Sequence, residues 1–275
     1  MNILVIGSGG REHAVIKAIK KNPAVETIYC LPGNGGIAAD ATCVNIGAKD
    51  IDGIVQFAAE NKIDYAIVTP DDPLVLGCVD ALNEIGIPCF GPDKKAAIIE
   101  GSKAFSKDLM KKYGIPTAAY EIFDDMDKAI AYLQDKDMPI VIKADGLALG
   151  KGVIIAETLA EAEDAVRSMM ADKVFGASGD HVVIEEFLTG PEVSVLAFTD
   201  GKTVVPMVSS MDHKRAHDND EGLNTGGMGT VAPNPYYTAA IASACMETIF
   251  LPTVNAMNAE GRTFTSGFLP FRLRL

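Results

Sequence analysis

Pro139-Ile140-Val141-Ile142-Lys143-Ala144-Asp145-Gly146-Leu147-Ala148-Leu149-Gly150-Lys151-Gly152-Val153-Ile154-Ile155 reads as two β-branched strands joined by a Gly-rich turn, with one lysine ending the first strand and another inside the turn. Such a turn can close on a polyphosphate, which makes ATP the leading ligand. A P-loop needs Gly-x-x-x-x-Gly-Lys-Ser/Thr opening a helix, whereas here Gly146 and Gly150 stand too close together and Val153 begins a strand. Taken alone, the segment fits an ordinary hairpin with solvated lysines equally well. The rest of the chain has to decide.

Outward from this segment, 275 residues with 48% hydrophobic content can bury a sizeable core and predict one large or two modest domains. No apolar run is read as approaching the roughly 18 residues of a membrane span, and Met1 to Gly7 carries no basic leader, so neither membrane insertion nor secretion is expected. Five scattered cysteines without a Cys-x-x-Cys pair read as free thiols in a reducing cytoplasm, and no metal site is assigned. A net charge of -13 tells against nucleic-acid partners and anionic membranes.

Apolar strands alternate with helical patterns through Ile3–Ile6, Arg11–Lys21, Thr27–Leu31, Ile51–Asn61, Tyr65–Thr69 and Leu74–Ile85. That alternation predicts a parallel sheet wrapped by helices. The rhythm changes near Phe90-Gly91-Pro92-Asp93, and a helix over Ser102–Tyr113 leads into longer strands and hairpins, including Thr203–Val208. The domain boundary is expected near residue 102, giving 1–102 and 103–275, with a lid subdomain over about 118–190. Asp212 to Pro235 reads as a long polar, Gly-rich loop of functional character.

Gly7-Ser8-Gly9-Gly10-Arg11-Glu12-His13 follows a strand and opens a helix, so its amides suit an anion or small polar substrate; a plain tight turn is the alternative. The dinucleotide fingerprint fails, because Glu12 stands where glycine is needed and Tyr29-Cys30-Leu31 brings no ribose-binding acid. Further on, His181 to Glu192 is a buried strand ending in Glu185-Glu186, an apolar pair, a turn and a third acid, a hinge that offers backbone groups to adenine and a carboxylate to ribose. Acids on the solvent side of a strand end are the alternative for Glu185 or Glu186. Asp212-His213-Lys214-Arg215 and Asn224-Thr225-Gly226-Gly227-Met228-Gly229 combine cations, amide donors and backbone able to approach a ligand.

In this order these motifs, with Pro32-Gly33-Asn34 and Glu100-Gly101-Ser102-Lys103-Ala104-Phe105, resemble the ATP-grasp superfamily and, within it, the phosphoribosylamine-glycine ligases. The resemblance runs from residue 1 to about 265 and implies an α/β protein, a Rossmann-like parallel-sheet domain followed by an ATP-grasp domain lacking its last strands. It implies that Lys103 and Lys143 contact ATP phosphates and that the loop of Gly146, Gly150, Lys151 and Gly152 closes over them. Glu186 and Leu188 would offer backbone groups to adenine and Glu192 would hold ribose, with Glu185 counted among the nucleotide-binding residues. Gly9, Gly10, Arg11, Glu12 and His13, with Asp212, His213, Lys214 and Asn224 to Gly229 (Thr225, Gly226, Gly227 and Met228 between them), would serve the other substrates, which in this family lie between domains. No catalytic residue is assigned.

The implied reaction uses ATP to join glycine to 5-phosphoribosylamine through a glycyl phosphate, in purine biosynthesis, by positioning and charge stabilisation with Mg2+ or Mn2+. The family's Glu-x-Asn and Arg-Phe-Gly-Asp-Pro-Glu metal motifs do not occur in the sequence, so a truncated member that forms little or no product is expected. Pro270, Arg272 and Arg274 depart from the family's pattern, with the arginines expected to charge a core strand. A non-catalytic nucleotide-binding protein and another ATP-grasp carboxylate-amine ligase or biotin-dependent carboxylase component are the competing readings. Oligomeric state is not legible.

Overall fold

The computed structural model describes residues 1–147, 152–265 and 267–274, and the chain divides into two units, Met1–Ser102 with Arg262–Gly267, and Lys103–Gly261 with Phe268–Leu275. The first runs β1 (Asn2–Gly7), α1 (Gly10–Ile19), β2 (Thr27–Pro32), β3 (Thr42–Cys43), α2 (Ile51–Glu60), β4 (Tyr65–Val68), α3 (Asp71–Leu76), α4 (Cys78–Glu84), β5 (Cys89–Phe90) and α5 (Lys94–Gly101). Its parallel sheet has the order β3-β2-β1-β4-β5. Parity along β1 explains the layering. Ile3 and Val5 pack with Ile16 of α1 on one face, and Leu4 and Ile6 pack with Ile54, Leu74 and Leu82 on the other. A strand buried on both sides carries a continuous apolar run, as β1 does over Ile3–Ile6.

Two details differ from the periodicity. Leu74 to Ile85 holds two helices rather than one, because Gly77 takes φ +93, a conformation that ends α3 and starts α4. Residues 262–267, expected in the second domain, belong to the first unit, where Phe264 is buried and Arg262 Nη1 donates to the Lys95 carbonyl at 3.0 Å.

The second unit comprises α6 (Lys103–Tyr113), β6 (Tyr120–Phe123), α7 (Met126–Leu133), β7 (Ile140–Ala144), β8 (Val153–Ala156), α8 (Leu159–Met170), β9 (Val182–Glu186), β10 (Glu192–Thr199), β11 (Val204–Pro206), β12 (Met211–His217), β13 (Glu221–Val231), α9 (Ala239–Cys245), α10 (Leu251–Ala259) and β14 (Gly267–Arg274). An antiparallel sheet of order β6-β9-β7-β8 lays Ile140, Ile142, Ala144, Val182 and Ile184 against α7 and α8. The opposite parity, Lys143 and Glu185 included, therefore faces away from those helices.

A three-stranded sheet, β11-β10-β14, packs Val193, Val195 and Ala197 on Cys245 and Phe250. Those two residues sit in the helical run Ala239–Ala259, where a single π turn joins α9 and α10. At 21 residues and mean hydropathy 1.2 it is long and apolar enough to cross a membrane by length and composition alone, a run the expectation of no such segment overlooked. Its Ile241, Cys245, Met246, Ile249 and Phe250 join the β10 cluster, while 33% of the run is buried in all. Pro270 is accommodated because β14 is an edge strand, where one missing donor is tolerated. Arg274 is exposed, so it does not charge a core.

Candidate functional site

Lys143 and Glu185 become neighbours through strand register. Val141 lies opposite Glu185 on β9, so Lys143, two residues on along β7, is its diagonal neighbour on the same face. Lys143 Nζ stands 2.9 Å from Glu185 Oε1 and Lys107 Nζ of α6 stands 3.0 Å from Oε2. Glu185 is 5% exposed and Lys107 9%. This excludes a solvent-facing role for Glu185. Glu186 is the exposed member of the pair, and its carboxylate accepts from Ala119 N at 2.8 Å. Burial draws the Lys107 ammonium below its ordinary value, and the Glu185 carboxylate draws it back up.

The turn after β7 is tied to the start of α6. Asp145 Oδ1 accepts from the Ala104 N–H at 3.1 Å and the Gly146 N–H at 3.0 Å, and Lys103 Nζ donates to the Gly146 carbonyl at 2.6 Å. Lys103, Lys107, Lys143 and Gly146 are thus gathered by α6 and one strand end. Gly152 closes the far side, its carbonyl accepting from Ala144 N at 2.9 Å. Gly150 and Lys151 lie outside the described residues.

Past β9, Phe187 to Thr189 leaves the ladder and exposes Leu188 (42%). The Glu186 N–H is already donated to the Ala119 carbonyl at 3.0 Å, so that donor is engaged within the protein. Glu192 is engaged too, by Lys214 Nζ at 3.3 Å and Arg274 Nη2 at 3.2 Å. The stretch read as a loop is a hairpin. Met211, Asp212 and His213 pair with Val231, Thr230 and Gly229, and after an irregular register Arg215 pairs with Asn224. Thr225 Oγ1 donates to the Lys214 carbonyl at 2.8 Å, and Gly227 N donates to Thr225 Oγ1 at 3.1 Å. The two motifs, Asp212–Arg215 and Asn224–Gly229, are brought side by side by pairing that their polar, glycine-rich sequence does not announce.

In the first unit the strand order reverses at β1 and β4, whose C-terminal ends form the crevice where ligands of such sheets bind. Glu12 is buried there, its Oε2 accepting from the Gly9 N–H at 2.7 Å and its Oε1 from the Thr69 hydroxyl at 2.7 Å. Glu12 therefore shapes the turn from within. His13 Nε2 meets Asp40 Oδ2 at 2.8 Å, and Asn34 Nδ2 donates to the Ser8 carbonyl at 2.7 Å. Burial pushes the Asp71 carboxyl up, with the Arg11 guanidinium opposing. Arg11 and Gly10 remain exposed at the crevice. Lys107 and Asp40 are residues that sequence reading missed.

The family model for the phosphoribosylglycinamide synthetase N domain matches residues 1–100, and that for the ATP-grasp (A) domain matches residues 101–273. A phosphoribosylamine–glycine ligase of Haemophilus influenzae is 52% identical over 271 residues, 98% of this chain and 63% of that protein. The chain thus spans less than two thirds of this relative. The crystal structure of phosphoribosylamine–glycine ligase from Thermotoga maritima superposes with TM-score 0.85 at 32% identity, covering 100% of this chain and 66% of the other. A biotin carboxylase domain of Hydrogenobacter thermophilus 2-oxoglutarate carboxylase, solved with MgADP, ADP and bicarbonate, superposes with TM-score 0.73 at 20% identity over 98% of this chain and 60% of its own, a likeness of fold alone.

Proposed function

Because this chain belongs to the phosphoribosylglycinamide synthetase family, we propose that it carries the nucleotide- and substrate-binding part of an ATP-dependent ligase joining glycine to 5-phosphoribosylamine. In that reaction a glycine carboxylate oxygen attacks the γ-phosphorus and ADP leaves. The amine then attacks the acyl carbon of glycyl phosphate, inorganic phosphate departs and the amine loses a proton. The observation that carries the reading is the gathering of Lys103, Lys143 and the Gly146 turn around one strand end. Ammonium groups so held stabilise polyphosphate charge by position. Arg11 and the exposed amides of the first unit's crevice, and the paired Asp212–Lys214 and Asn224–Gly229 segments, are assigned to the remaining substrates. Leu188 and the carbonyl of Glu186 are assigned to adenine. Glu192 reaches ribose only by exchanging its cations. Among the described residues no three His, Cys, Asp or Glu side chains gather to hold a metal ion.

Titration calorimetry tests the nucleotide site. ATP should bind, and Lys143→Ala should weaken it by roughly 1.5 to 3 kcal/mol, the worth of a charge-assisted phosphate contact. Equal affinities would remove Lys143 from the site. Glycine-dependent release of ADP separates a ligase from a protein that only binds nucleotide.

A further inference from the structure

Lys107 has no part in the phosphate contacts just assigned, yet it is the most enclosed cation of the group. Its ammonium donates to Thr117 Oγ1 at 2.7 Å and pairs with Glu185 Oε2 at 3.0 Å. One buried carboxylate therefore serves two ammoniums, and the two contacts differ. Lys143 approaches Oε1 at 2.9 Å as an ion pair, but that oxygen receives no hydrogen bond of good geometry. The Lys143 contact is the more readily exchanged, since its side chain is 25% exposed against 11% for Lys107.

If Lys143 turns to a phosphate, Glu185 stays behind in a place where water cannot solvate it. A buried carboxylate without a countercharge is costly, and it escapes by taking up a proton. We propose that Lys107 is a positioning residue that keeps Glu185 ionised, so that Lys143 can exchange the carboxylate for a polyphosphate with no proton taken up. The inference rests on the assignment of Lys143 to phosphate. The other groups bearing on the pair are Glu186, whose carboxylate favours the Lys107 charge, and Tyr120 of β6, whose ring lies 5.5 Å from the Lys107 ammonium and whose hydroxyl donates to Asp108 at 2.9 Å. Burial pushes the Tyr120 phenol up, so near neutral pH it supplies no charge.

The test is ATP titration of the 275-residue chain at pH 7 in two buffers of different ionisation enthalpy, which counts protons exchanged on binding. Lys107→Met should take up about one proton more than the wild type and bind ATP about tenfold or more weakly. Lys107→Gln keeps a hydrogen-bond donor and lacks only the charge. It should show the same excess, and it serves where methionine is not tolerated. Lys107→Arg, and Lys107→Met combined with Glu185→Gln, should show none. A purely structural role for Lys107 would not move the proton count. Wild-type proton count and affinity in both neutral variants overturns the inference while leaving the nucleotide site standing; no ATP binding by the wild type overturns both.

Discussion

Glu12, in the first turn of α1, and Glu185, near the end of β9, are both buried carboxylates, but their surroundings differ in kind. Glu12 is satisfied by neutral donors, the Gly9 amide and the Thr69 hydroxyl, each at 2.7 Å. Glu185 is held by two ammoniums, with one oxygen short of a proper hydrogen bond. Neutral hydrogen bonds fix a shape and give a ligand little reason to disturb them. A carboxylate sharing two cations holds charge in reserve, because an arriving polyanion can take one cation and leave the other. The first centre builds a crevice, and the second can respond to what enters.

The largest effect that would break this contrast is expected at the second centre. Glu185→Leu strands Lys107 without its countercharge and should destabilise the protein by about 3 to 5 kcal/mol in urea unfolding. A loss below about 1 kcal/mol would mean that Lys107 escapes to water and that the pair is not a centre at all. Next comes the shape-fixing role of the first. Gly7 has φ +131, and a Cβ there would stand 2.6 Å from Glu12 Cγ. Gly7→Ala should cost about 1 to 3 kcal/mol from strain and displacement of Glu12. Unchanged stability would show that Glu12 is free to move.

The smallest effect sharpens the comparison at the rim of the crevice. The His13 hydrogen bond, followed by that of Lys20, holds the Asp40 carboxyl at about 2 instead of its ordinary 3.8. A carboxyl lowered on folding stabilises the protein above its unfolded value and loses that contribution as pH falls through the folded one. Denaturant midpoints of the wild type should therefore drop more steeply between about pH 4 and 2 than those of Asp40→Asn. Parallel curves would assign the acid sensitivity elsewhere.

Much of this was legible because it rests on local pattern. Continuous apolar runs such as Ile3 to Ile6, bounded by turn residues, suit strands buried on both faces, and the glycines and lysines between Ile142 and Val153 announce the pairing of β7 with β8. What was not legible depends on partners far along the chain. Lys103, Lys107, Lys111 and Lys112 look alike in sequence, and only the approach of β9 to α6 makes Lys107 the buried one. Strand parity decides between Glu185 and Glu186 once β7 supplies a register. The pairing of Asp212 with Thr230 leaves no apolar alternation to read, because the strands of that hairpin carry charges and glycines instead.

The return of Arg262–Gly267 to the first unit has a consequence for biosynthesis. A domain that is continuous in sequence can finish folding soon after it leaves the ribosome, N-terminal parts first. Here the unit begun at Asn2 receives Phe264, a large buried aromatic of that same unit, only after nearly all of the second unit has been translated. The first unit is thus completed only after the intervening unit has been translated, and its nascent form must wait with that flank unfilled.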